Sequence, residues 1–231
     1  MRHALRHTGL AAAAISLIVT MSACGSDHAG DDAAGSDSSS GEPTTDEPTT
    51  DEPMADGGGD AMALVGPGCA GYAEQVPDGP GSVQGMAQDP VATAASSNPL
   101  LKTLVKAVSG QLNKNVDLVN DLNSSEITVL APVDSAFAEI DAKTLTALSE
   151  PAGADTLSQI LTYHVIPGRL APEQLVGKQA TLEGENVTIT GSPDALEVDG
   201  AASVICGNVQ TANATVYLVD SVLMPPSLQQ G

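Results

Sequence analysis

Apolar positions recur along this chain with two different periods, and the change of period divides it. Between residues 83 and 112 they fall three and four apart. Leu101, Leu104, Val105, Val108 and Leu112 form one stripe, as in a helix that buries a single face. A first helix is expected over 83–96. Asn98 and Pro99 then read as the N-cap and first position of a second helix, with Gly110 as its terminator and Lys102 and Lys106 on its solvated side. The run 127–131, apolar but for Thr128, reads as a buried strand, followed through Ala131-Pro132 by a short helical segment over 135–140 that carries Phe137, the single phenylalanine. Helices are expected over 143–149 and 156–162. After them the period shortens, with β-branched runs at 187–189, 196–198 and 204–206 set between Gly, Asn, Asp and Pro turn signals. A last strand over 215–220 puts Val216, Leu218 and Asp220 on one face and Tyr217 and Val219 on the other. Met224-Pro225-Pro226 closes this strand region, because proline cannot donate to a ladder. Helices early and strands late predict an α+β domain.

Upstream of residue 61 neither period is present. Residues 25–60 hold eleven acidic side chains, no Lys or Arg, and the repeat Thr-Thr-Asp-Glu-Pro at 44–48 and 49–53. Such a segment cannot bury enough apolar surface to fold alone, and it reads as an extended tether. Before it, Arg2 and Arg6 precede an apolar run over 10–19, too short to span a bilayer, and then Met21-Ser22-Ala23-Cys24. This arrangement reads as an export signal ending in a lipobox, with the Cys24 thiol accepting a diacylglyceryl group and becoming the new N-terminus. The alternative is a secretory signal cut elsewhere. The expected organisation is a signal at 1–23, a tether at 24–60, an extension with Cys69 at 61–82, one domain at 83–226 and a tail at 227–231.

Charge and cysteine count narrow the chemistry. The formal charge is −21, and from residue 61 onward eighteen acidic residues face six basic ones, which argues against a nucleic-acid partner. Solubility accounts for the acidity, with calcium binding the sharper alternative; no EF-hand spacing accompanies it and no phosphate-binding glycine loop is present, so neither a metal nor a cofactor is expected. Of three cysteines, lipidation would claim Cys24; Cys69 and Cys206 remain and are expected to form a disulfide, the alternative being two buried free thiols. His164 is the one histidine in the expected domain, no Gly-x-Ser-x-Gly elbow is present, and no carboxylate pair has distinctive context. No catalytic residue is assigned, and a hydrolase using unrecognised carboxylates is kept as the enzyme alternative. Tyr163 and His164 are expected to alternate across a short strand, one ring in the core and the imidazole bonded to backbone or a carboxylate.

Three segments, ITVLAPVDSAFAEI at 127–140, LTYHVIPG at 161–168 and TVYLVDSVLMPP at 215–226, together resemble the fasciclin domain over residues 83–226. Thr128, Ala131, Pro132, Asp134, Ala136 and Phe137 match that family's first motif, while Leu130 and Val133 depart from it. Within the family the chain is similar to immunogenic cell-surface lipoproteins of mycobacteria and related actinobacteria, through GPGCAGY, SSNPLLKTLVKAVSG and TANATVYLVDSVLMPP. The resemblance implies a fasciclin-like domain with helices on a twisted sheet, one disulfide, and adhesion or binding without catalysis. It implies as partners a membrane, through lipid on Cys24, and extracellular proteins, host cells or envelope glycans; an envelope organiser facing inward is the rival. In adhesive relatives the Tyr-His pair and an Asp-Ile element are implicated in integrin recognition. The corresponding residues here are Tyr163, His164, Asn208 and Val209, so the acid is missing and simple transfer of integrin binding is not expected.

Overall fold

The computed structural model describes residues 63–229. Five helices come first: α1 (Cys69–Gln75), α2 (Val83–Met86), α3 (Val91–Ser96), α4 (Lys102–Val108) and α5 (Val119–Ser124). Pro90 divides the single helix expected over 83–96. It lacks an N–H and adopts φ −59°, ψ 152°, so α2 stops and α3 starts afresh after it. Asn98 does not cap α4 as expected. Its carboxamide oxygen accepts from Leu100 N–H in a local turn, its amide donates to Tyr72 Oη (2.9 Å), and α4 begins only after Leu101. Gly110, at φ +73°, does end that region, and Leu112 packs on the core from beyond the helix.

Strand β1 (Ile127–Pro132) is buried at every position and leads into α6 (Asp134–Ala138), which plants Phe137 in the core. Next come α7 (Ala142–Ser149), started by an Asp141 side-chain cap, a single 3-10 turn, and α8 (Ala154–Tyr163). After α8 the chain is mainly β: β2 (Val165–Pro167), a short α9 (Pro172–Leu175), β3 (Gly177–Ala180), β4 (Asn186–Ser192), β5 (Ala195–Val198), β6 (Ala202–Gln210) and β7 (Ala214–Val219), with α10 (Pro226–Gln229) last. The closing strand stops well short of Met224-Pro225-Pro226. Asp220, just past β7, donates its backbone N–H to Ser203 carbonyl (3.1 Å) and accepts Ser203 N–H on its carboxylate (2.7 Å).

The strands form one sheet in the order β2-β1-β7-β6-β5-β4-β3, with β1 and β7 parallel and every other pair antiparallel. The two edges come back together where Leu182 N–H donates to Val165 carbonyl (2.8 Å), so the sheet wraps into a nearly closed wedge. Both of its faces are therefore apolar, and two cores result. One lies between the helices and the outer face of β1, β7 and β6, with Val129, Val216, Leu218 and Val209 meeting Leu104, Ala94 and Leu157. The other fills the wedge, where Leu130, Tyr217 and Val219 meet Ile166, Val187, Ile189, Leu196 and Val198. The alternation read along 216–219 holds, and it separates the two cores.

Candidate functional site

Tyr163 and His164 sit at the end of α8 rather than on a strand. Helix α8 runs one residue farther than its sequence signal, through Tyr163, and His164 is its C-cap at φ −80°, ψ 0°. The Tyr163 ring is fully buried in the wedge, and its hydroxyl donates to Asp199 Oδ2 (2.7 Å). Burial, reinforced by the Asp199 carboxylate, pushes that phenol far up. Asp199 serves this contact from a tight hairpin: Asp199 and Gly200 both have positive φ, and Ala201 N–H closes the turn on Val198 carbonyl.

The imidazole of His164 is buried and holds two backbone groups. Nδ1 lies 2.7 Å from Ile160 carbonyl and Nε2 lies 3.0 Å from Leu223 N–H. The acceptor at one side and the donor at the other fix the neutral ring with its proton on Nδ1. Burial lowers its pKa to about 4, against a smaller opposing contribution from the Ile160 bond.

Asn208 and Val209 belong to an irregular stretch of β6. Pairing with β7 shifts register between Cys206 and Val209, and Asn208 adopts φ +59°. The bulge is covered by the N-terminal part of the described chain. Val65 and Gly207 exchange backbone hydrogen bonds, Gly68 N–H donates to Ile205 carbonyl, and Asn208 Nδ2 donates to Ala63 carbonyl (2.9 Å). The Cys69–Cys206 disulfide, with Cα atoms 4.7 Å apart, fastens this segment covalently. Gly207 is required here, since a Cβ would lie 2.3 Å from Tyr217 Cδ1 and 3.1 Å from Val65 Cγ2.

None of the four residues offered as an adhesion surface is on the surface. Tyr163, His164, Asn208 and Val209 are all buried, and the sheet divides them, Tyr163 in the wedge and Val209 under the helices. Their packing, not an exposed patch, is what the Tyr-His and Asn-Val positions supply. Cys24 lies outside the described residues. Among the described residues no group of three or more His, Cys, Asp or Glu side chains is placed to hold a metal ion, and no helix is long and apolar enough to cross a membrane.

Two polar nodes escaped the sequence reading. Tyr72 Oη donates to Gly81 carbonyl (2.6 Å) and receives Asn98 Nδ2, all beneath the helices. Asn213 joins three elements: its oxygen accepts Val91 N–H and its amide donates to Leu122 and Ser125 carbonyls. Asp199-Gly200 is one of the turn signals between the β-branched runs, but nothing local signals the tyrosine that it receives.

Comparison with known proteins places this architecture. The fasciclin domain model matches residues 99–225. The chain is 56% identical over 164 residues to immunogenic protein MPB70 of Mycobacterium bovis, covering 71% of this chain and 83% of that protein. It is 53% identical over 174 residues to the cell surface glycolipoprotein MPB83 of the same species, covering 75% and 76%. A solved FAS1 domain pair from the insect cell adhesion molecule Fasciclin I superposes with a TM-score of 0.51 at 15% identity, over 62% of this chain and about half, 53%, of that one. The nearly closed wedge with helices on one face, the segments at 127–140, 161–168 and 215–226, and these matches give one conclusion: the chain belongs to the fasciclin domain family.

Proposed function

We propose that this protein is an exported surface lipoprotein whose fasciclin domain acts by binding other molecules, not by turning them over. The observation that carries this reading is the identity, above half over 164 and 174 residues, to relatives named as an immunogenic protein and a cell surface glycolipoprotein. The short basic start, the apolar run and Cys24 support export and lipid attachment, with the acidic tether between anchor and domain. The engagement of both ring nitrogens of His164 in backbone bonds supports a non-catalytic reading, because that histidine is not free to move a substrate proton. Partners are extracellular proteins, host-cell surfaces or envelope glycans, met through side chains other than the four buried residues above. Val176 and Leu182, which flank β3, are exposed apolar side chains on the wedge edge and the first positions to substitute.

Two measurements test this. Cells expressing the chain are fed a labelled fatty acid: label retained at the wild-type N-terminus and lost with Cys24→Ala is expected, and label absent from both would overturn the anchor. Purified protein is passed over matrix proteins, host cells and envelope polymers. Retention on one of them, weakened by Val176→Ser or Leu182→Ser, is expected; no retention anywhere, or turnover abolished by one carboxylate substitution, would overturn binding as the task.

A further inference from the structure

An apolar cavity opens between α3, α4, α5 and the β1–β7 pair, in the helical half of the domain. About 40 Å³ of it is open to the centre of a water-sized sphere, and its wall exposes no polar atom. By the same measure one water needs about 10–15 Å³, and a site with no polar partner does not hold water well, so this space favours hydrocarbon. Ala92 and Ala95 on α3 make room for it, and Leu104 lines it from α4. His164 reaches the wall too, but with both ring nitrogens already engaged. Val105, Leu118 and Leu122 line the cavity while only partly buried, and α5 has no fully buried residue, so this side is the entrance. Beside Val105 on α4 stand exposed Lys102 and Lys106, two of only six basic residues from residue 61 onward.

We propose that this cavity binds the methyl end of a single unbranched acyl chain, whose carboxylate is met outside by Lys102 and Lys106. The size supports it, since a few methylenes fit where a fused ring does not. The charge supports it as well, because a lysine pair in a domain with a threefold acidic excess selects an anionic head over a neutral one.

The test uses the full chain and dodecanoate carrying ¹³C in its terminal methyl. One saturable bound methyl resonance, with nuclear Overhauser contacts to Leu and Val methyls, is expected. Val105→Trp at the entrance and Ala95→Leu within the cavity should each weaken binding at least tenfold while the melting temperature stays near wild type; if one variant fails to fold, the other decides. Replacing both Lys102 and Lys106 by Glu should weaken dodecanoate severalfold and leave dodecanol unchanged. No saturable site, binding indifferent to the blocking variants, equal binding of acid and alcohol in the wild type, or preference for intact phosphatidylcholine vesicles over the free acid would each overturn the assignment.

Discussion

The imidazole of His164 joins the end of α8 to the loop after β7, and protonating it would set a second N–H against Leu223 N–H. The ring titrates near 6.5 when unfolded and near 4 when folded. Its contribution to stability is therefore complete above about pH 6.5, falls as the pH drops toward 4, and is constant below that, a loss on the order of 3 kcal/mol. His164→Gln should flatten this segment of the melting temperature against pH profile, and an unchanged slope would show that other groups cause it. Gly207→Ala makes a sharper steric prediction. The new methyl meets the buried Tyr217 ring, which the wedge holds on all sides, and about 1–3 kcal/mol should be lost from the denaturant midpoint. Asn98→Ala leaves Tyr72 Oη without its donor in the helical core and should lose roughly 1–3 kcal/mol by the same measurement.

At the level of elements, β1 and β7 show why some of the fold was readable. Both are buried on two faces, so both appear as apolar runs broken only by Thr128 and Thr215, and the period of two along 216–219 assigned each side chain to its face. Helix α8 shows the opposite. Its amphipathic pattern ends near Thr162, but Tyr163 is drawn into the wedge, and His164, which caps the helix on the Leu161 and Thr162 carbonyls, is held on its other side by Leu223, 59 residues away, which no local period encodes. Pro90 was a local signal, and it breaks the helix expected over 83–96 for the ordinary reason that proline cannot continue one. β2 has only three residues and β3, Gly-Lys-Gln-Ala, carries no apolar alternation, so neither was readable. Asn213 provides an element-scale test. It ties α3 and α5 to the start of β7, so Asn213→Ala should unfasten α5 first, raising amide exchange over 119–124 before the sheet is affected.

For the molecule as a whole, the candidate site was legible in identity but not in disposition. Tyr163, His164, Asn208 and Val209 can be picked out by motif; that all four are buried is set by packing across the fold, and the cover of residues 63–69 over the bulge at Asn208 joins chain segments more than a hundred residues apart. Reduction of the Cys69–Cys206 bond, or Cys206→Ala, should lower stability by about 2–5 kcal/mol and speed amide exchange at Val65 and Gly68 ahead of β7. A melting temperature indifferent to reductant would show that the backbone bonds alone hold the segment.

The same fastening sets how the domain bears a load. Tension arriving through the chain upstream of residue 63 meets the Asn208–Ala63 bond, then the Val65–Gly207 and Gly68–Ile205 backbone bonds, and then a covalent link into β6, beside the centre of the sheet. A pull on that upstream chain against β6 can therefore draw out only the few residues before Cys69; beyond them the force passes through the sulfur–sulfur bond straight into β6.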